Sequence, residues 1–306
     1  MFKKLEHILA VCLLPAVVLL CFAPEYWVLS LVKAFAMQIM AAIVLITLIW
    51  LLRRKFRFAV LGVCSILTIS SMMPPLINME SGDGLANEGL RIAHFNVLKS
   101  NENYWATIRA AKDTNADFIS FQEVNKSWQE ALTEELAEAY PYCFALPQEA
   151  CCYGIAVFSK HPLSDVEDFY TGTLPNIRGD MTVNGTKVHF VTSHTPAPTS
   201  HQRHTQRNQH IRQVASHLDD IAGPKVAIGD FNSVPWDSAI TEFKRVTLLK
   251  DSRKTLTPTY PAYLKIAQIP LDYIFHSEEL TCLDFTSIEG TSSDHLGILG
   301  TYRFNL

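Results

Sequence analysis

The 306-residue chain has seven cysteines but no C-x-x-C pair. That absence removes the usual thiolate zinc site. No internal repeat or low-complexity tract interrupts it, so the chain beyond its apolar beginning reads as one ordinary soluble domain. Basic charge is short where a nucleic-acid binder would carry it. Of 26 Lys and Arg, seven precede Pro75, and of 30 Asp and Glu, two do; the remainder holds 19 against 28, a net charge of about −9. Such a surface has no electrostatic footprint for a polyanion. It leaves open a nuclease that meets phosphate through a divalent ion and a local basic patch. The loop after the first apolar stretch also lacks a basic residue until Lys33.

The residues that are present divide the chain in two. Residues 1–76 read as a transmembrane region with apolar helices at about 8–22, 34–52 and 58–73; residues 77–89 as a linker marked by Ser81, Gly82, Asp83 and Gly84; and residues 90–306 as a catalytic domain. The second apolar stretch has the roughly 20 residues that span a bilayer, and the outer two are shorter. A cleaved signal peptide is the rival reading of the first, but no small-x-small site precedes the second. Lys3 and Lys4 precede the first stretch, and Arg53-Arg54-Lys55-Phe56-Arg57 separates the second from the third. By the positive-inside bias both lie in the cytoplasm, so three crossings put the C-terminal domain outside. The expectation is a multi-pass protein of a bacterial-type inner membrane with a periplasmic domain. An outer location permits a disulfide, and Cys143 with Cys151 or Cys152 flanks a hairpin-like stretch.

In the C-terminal part, short β-rich runs repeatedly deliver a polar group at their ends. His94-Phe95-Asn96 closes one, Gln122-Glu123 a second, Ser193-His194 a third and Gly229-Asp230-Phe231-Asn232 a fourth, while Ser293-Asp294-His295 precedes another. Carboxylate, carboxamide and imidazole gathered along one sheet rim are what a hydrolytic site with a hard metal ion requires. Asp230 and Asn232 alternate around Phe231, so in extended backbone they share a face. Asn184-Gly185 between two strand-like runs signals a hairpin. His201, His204, His210, Arg203 and Arg207 follow Pro196 and Pro198; they read first as a solvated helix face, with a substrate-contacting rim as the alternative.

With Tyr153-Gly154, Phe158-Ser159-Lys160 and Leu271-Asp272-Tyr273 added, these motifs stand in the order of the endonuclease/exonuclease/phosphatase superfamily, which the chain resembles from about Leu90 onward. That group includes DNase I, AP endonucleases, neutral sphingomyelinases and inositol polyphosphate 5-phosphatases. The resemblance implies an α/β four-layer sandwich: two stacked, mainly antiparallel sheets flanked by helices. It also implies hydrolysis of phosphoesters with Mg²⁺ or Mn²⁺. Carried over by motif, Glu123, Asn96 and Asp294 are the metal residues. His295 is the general base and Asp272 its orienting partner. Asp230 holds the attacking water, Asn232 contacts phosphoryl oxygens and His194 donates to the phosphate. Arg178 is the substrate-binding residue.

Departures narrow the choice. Leu98 stands where AP endonucleases carry a second acidic ligand, and His194 where they carry Tyr. Asn232 is followed by Ser233-Val234-Pro235, not by the Asn-Tyr-Arg pattern of inositol phosphatases. The expected function is a membrane-anchored, metal-dependent phosphodiesterase of nuclease type, its partners a phosphodiester substrate and the bilayer. A lipid phosphodiesterase of sphingomyelinase type is the alternative, and a non-catalytic envelope interaction protein on the same fold is a third reading.

Overall fold

Polar and apolar residues alternate or cluster along the chain so as to produce four apolar helices and then two sheets with two pairs of helices. The structure, a computed structural model, describes residues 2–23, 26–73 and 89–305. Pro24, Glu25 and all of the expected linker except Gly89 lie outside the described residues.

The helices are α1 (Phe2–Phe22), α2 (Trp27–Ala34), α3 (Ala36–Leu52) and α4 (Phe56–Met72). α2 is an addition to the three apolar stretches; it occupies part of the apparent turn and meets α3 at Phe35 with a bend of 63°. Among the described residues, only Lys3–Phe22 is by itself long and apolar enough to cross a membrane, and α2 with α3 reaches that length only as a bent pair. α4 packs against both α1 and α3. At one end of this bundle Arg53 and Lys55 pair with Glu6. At the opposite end Val17, Ala36 and Ile69 pack with Val234, Trp236, Ile269 and Leu271 of the following domain. Polar contacts fasten that junction: Trp236 Nε1 donates to Lys33 O at 2.6 Å, Gln38 Nε2 to Gln268 O at 2.9 Å, and Ser30 Oγ lies 3.1 Å from His204 Nε2. Large apolar side chains such as Leu19, Leu45, Leu52 and Leu67 remain more than half exposed on the outer faces.

The domain contains β1 (Leu90–Asn96), α5 (Tyr104–Asp113), β2 (Phe118–Gln122), α6 (Lys126–Leu136), β3 (Tyr142–Leu146) and β4 (Ile155–Ser159). It continues with β5 (Leu163–Thr171), β6 (Leu174–Val183), β7 (Thr186–Ser193), α7 (His201–Ser216), β8 (Lys225–Asp230) and α8 (Ser238–Thr247). β9 (Lys250–Asp251), β10 (Asp272–His276), β11 (Leu280–Ile288) and β12 (Gly297–Phe304) complete it. The strands form two six-stranded sheets, in the orders β11-β12-β1-β2-β4-β3 and β5-β6-β7-β8-β10-β9. Both are mixed: β1 runs parallel to β2 and β7 parallel to β8, and the other pairs are antiparallel.

Ile92, Phe118 and Val157 from the first sheet meet Ile177, Phe190, Ile228 and Ile274 from the second. α5 and α6 cover the other face of the first sheet through Ile108, Trp128 and Leu132. α7 and α8 cover the second through Ile211, Val214, Ile240 and Phe243. The result is the four-layer sandwich, with strands buried on both faces wherever they lie centrally. Asn103, Asn125, Ser200 and Asp237 cap the four helices by accepting from backbone N–H groups. Asn184 and Gly185, both at positive φ, make the tight turn between β6 and β7.

This topology sets where the site lies. The two parallel pairs carry the carboxyl ends of β1 and β2, and of β7 and β8, to common rims, where open α/β sheets bind ligands. β10 runs antiparallel to β8 and places its first residue, Asp272, opposite Asp230.

Candidate active site

β1 ends in Asn96 and β2 is followed by Glu123, whose φ of 65° turns the chain out of the apolar layer. Asn96 Nδ2 donates to Glu123 Oε1 at 3.2 Å, and the backbone N–H of Lys99 donates to Oε2 at 3.0 Å. The carboxylate is thereby aimed while keeping lone pairs free toward a cavity of about 350 Å³. Gln122, its fully buried neighbour, ties the two sheets together. Its Oε1 accepts from Asp230 N at 2.9 Å and its Nε2 donates to Ser193 O at 2.6 Å.

Across the cavity, His295 Nδ1 lies 2.8 Å from Asp272 Oδ2, and its Nε2 lies 3.7 Å from Asp230 Oδ2. The other oxygen of Asp272 is 3.3 Å from His94 Nε2. His94 in turn approaches Ser120 Oγ at 3.4 Å, and Ser120 bonds Thr192 at 2.6 Å. A buried chain of polar groups therefore runs from one sheet through Asp272 to His295. His194 Nε2 stands 3.6 Å from Asp230 Oδ2, so Asp230 sits between two imidazoles. Asn232, at φ 46°, donates from Nδ2 to Thr195 O and to Asp230 Oδ2. Tyr153 packs on His194 and Tyr260 on His295, each with ring centres just under 5 Å apart.

Charge in this enclosure is strongly redistributed. Burial raises Asp230 to about 8, and the neighbouring charge of Asp272 adds to that effect. Burial also opposes ionisation of Asp272, but His295 and His94 hold it well below the usual carboxylate range. Burial alone would keep His295 neutral; Asp272 and Asp230 overcome it and raise the imidazole to about 10. His194 is pushed down to about 3, first by burial and then by His295. Asp294, half-buried, is raised by burial, with Glu123 among the groups that add to the rise. Carboxylates thus crowd one another at this cavity.

That crowding bears on a metal. Asp230, Asp272 and His295 can each offer an atom within 4.8 Å of the others. Two of the three are already joined in the 2.8 Å His295–Asp272 hydrogen bond, which accounts for their closeness without an ion. Glu123 and Asp294 line the same cavity with oxygen donors. The donor set fits a hard divalent cation such as Mg²⁺ or Mn²⁺, which prefers oxygen and takes few carboxylates.

The cavity lining brings together Glu123, Asp294, Asp230, Asn232, His194 and His295. Asp272 and Asn96 stand directly behind it. Arg178 is elsewhere. It lies two residues deeper along β6 than Asn176, which pairs with Ser193 at the rim, and its guanidinium is engaged by Glu167 and His217. The solvated-face reading of α7 holds for His201, which is exposed, but not for His204, Arg207 and His210, which are buried; Arg203 is half-buried and lines the cavity. Arg207 Nη1 donates to Asn232 O, and Nη2 donates to Asp237 Oδ2. His94, Gln122 and Arg207 gain roles that the sequence does not assign them; their motifs are visible there, but contacts between distant strands are not. All seven cysteines are free thiols, with Cys143 exposed on β3.

Residues 93–295 match the model described as the endonuclease/exonuclease/phosphatase family. No curated protein matches the chain. Similar solved structures include an endonuclease/exonuclease/phosphatase from Beutenbergia cavernae, 19% identical, covering 71% of this chain and 72% of that one at a TM-score of 0.59. D. rerio TDP2 with single-strand DNA product is 17% identical, covering 71% and 99% at 0.60. Sphingomyelinase C from Streptomyces griseocarneus is 16% identical, covering 70% and 99% at 0.53.

Proposed function

The chain belongs to the endonuclease/exonuclease/phosphatase family, and from that premise we propose that it is a membrane-anchored, Mg²⁺- or Mn²⁺-dependent phosphodiesterase. The observation that carries the reading is the His295–Asp272 pair facing the cavity that Glu123 and Asp294 also line. Glu123, with Asn96 and Asp294, would hold the cation; when bound, it supplies Lewis acidity to a phosphoryl oxygen.

The protein's own groups then divide the work. Asp272 fixes the imidazole of His295 through Nδ1 and leaves Nε2 to take a proton from water. With no offset to the surrounding carboxylates His295 holds that proton already; neutralising them returns it toward the range where it serves as a base. In the tautomer protonated at Nε2, neutral His194 can donate to an oxygen on which negative charge builds. Asp230 and Asn232, bonded to each other, orient the water and the phosphate.

The outer faces of the four helices support anchoring, because apolar side chains exposed in number mark a membrane surface. The basic cluster at the bundle end opposite the domain supports an outward-facing site. Solved neighbours include a DNA-product complex and a sphingomyelinase, and both substrate classes contain the phosphodiester. The purified full chain should hydrolyse bis-p-nitrophenyl phosphate with Mg²⁺ or Mn²⁺ and lose turnover in EDTA, and Glu123→Ala should weaken metal dependence as well as rate. Undiminished turnover in EDTA would refute the mechanism.

A further inference from the structure

The cavity at His295 has two unlike sides. Its floor is the carboxylate and imidazole set described above. Its wall is apolar: Leu31, Ala34 and Phe35 from α2 and its bend, with Val234, Ile269 and Leu271 from the domain. Part of that wall is therefore contributed by the helical region. We propose that α2 completes the active site as a hydrocarbon subsite, so that the substrate is an amphiphilic phosphodiester whose alkyl chain lies along Leu31 and Phe35 while its phosphate reaches His295. The inference rests on the phosphodiesterase reading and specifies its substrate class.

Three observations converge on it. First, the polar floor and apolar wall belong to one cavity of about 350 Å³, within the usual range for small-ligand sites. Second, α2 follows one apolar helix and bends into another, and Val28, Val32 and Phe35 are themselves exposed. Phe35 belongs to both sets, exposed on the outside and lining the cavity wall. Third, the arginines that line the cavity are already engaged, Arg203 by Tyr153 and Ala197, and Arg207 by Asp237 and Asn208. With a net charge of about −9 beyond Pro74, the domain offers a long polyanion little, whereas one phosphate with an apolar tail matches both sides.

Docking of α2 is specific as well as apolar. Ser30 approaches His204 and the Lys33 carbonyl accepts from Trp236, while Gln38 at the start of α3 reaches Gln268. The wall is held in register with the catalytic groups by these bonds.

The test uses the full chain in one detergent at fixed concentration, with Mg²⁺ or Mn²⁺ and a series of alkyl p-nitrophenyl phosphate diesters from ethyl to octyl. kcat/KM should rise with chain length, by about tenfold or more overall, the effect of burying roughly two methylenes. Leu31→Asp and Phe35→Asp should bring the octyl-to-ethyl ratio toward one, and Leu31→Met should retain it. Detergent partitioning is the same for every variant, so it cannot produce that difference. A second readout needs no turnover: an octyl methylphosphonate diester with a terminal diazirine should cross-link to α2 and to the segment around Ile269–Leu271. A flat series in an active enzyme, or a ratio unmoved by Leu31→Asp, removes the hydrocarbon subsite and leaves the phosphodiesterase reading standing. Faster hydrolysis of single-stranded DNA than of the octyl ester also overturns the subsite. Absence of turnover on every ester removes the phosphodiesterase reading and the inference with it.

Discussion

His295 and Asp272 share one hydrogen bond and, in the proposed mechanism, one step. Their losses should therefore be non-additive. A positioned base contributes about 10²–10⁴-fold, so His295→Ala should lower kcat by that order with KM little changed. Asp272→Asn should cost less, because the imidazole remains but can take the wrong tautomer. The double variant should be little worse than His295→Ala; fully multiplicative losses on an activated diester would show independent roles. A second expectation concerns His210, buried beside Asn176 and Ser193. Burial lowers its pKa to about 3, with His194 adding to the effect. The unfolded chain takes up this proton below about 6.5 and the folded chain does not until far lower, so stability is present above that pH and falls as pH drops from 6.5 toward 3. Between pH 6.5 and 5 the loss from this one group is on the order of 2 kcal/mol. Melting temperatures of the full chain in detergent should show that slope, and His210→Gln should flatten it. At this scale the residue types are legible in the sequence because each sits in a short motif at a strand end. Their contacts are less so. His94 meets Asp272 across 178 positions of sequence, and Gln122 reaches Asp230 across 108; no local pattern encodes such a meeting.

Among the elements, strand ends do most of the positioning, and Gly229 shows how tightly. It stands at φ 140° on β8, and a Cβ there would fall 2.1 Å from Ser193 O and 2.2 Å from Gln122 Nε2. Gly229→Ala thus combines backbone strain with a collision where the sheets are tied beneath the site. It should lower the melting temperature markedly and reduce kcat through Asp230; a variant with unchanged melting and rate would mean that the Gln122 tie is dispensable. Strands β1, β2, β8 and β10 are readable as apolar runs, and the Asn184-Gly185 turn as a hairpin. The mixed character of each sheet is not, because pairing partners depend on crossovers that periodicity does not report. α2 escapes the sequence for a related reason: eight residues with a Ser and a Lys resemble an interfacial turn until the domain they dock on is present. Arg178 misses the site by two residues, enough along a strand to move a side chain from the rim to an ion pair with Glu167.

For the whole molecule, the basic cluster around Arg53 and Lys55 and the docked domain mark opposite ends of the helical bundle. Fusions after Leu90 should be active with alkaline phosphatase and dark with a cytoplasmic fluorescent reporter; the reverse pattern would overturn the outward orientation. Two unlike parts are legible from composition, since an apolar beginning and an acidic remainder need no structure to separate them. That the parts share a surface is not, because Val234, Trp236, Ile269 and Leu271 lie far apart in sequence from the helices that cover them. The shared surface bears on modularity. Replacing the four helices with unrelated ones would leave Trp236 without the Lys33 carbonyl and the cavity without one side. A helical region docked in this way is not an interchangeable part, and exchange between chains of the same fold would be limited to those whose helices and site loops match one another.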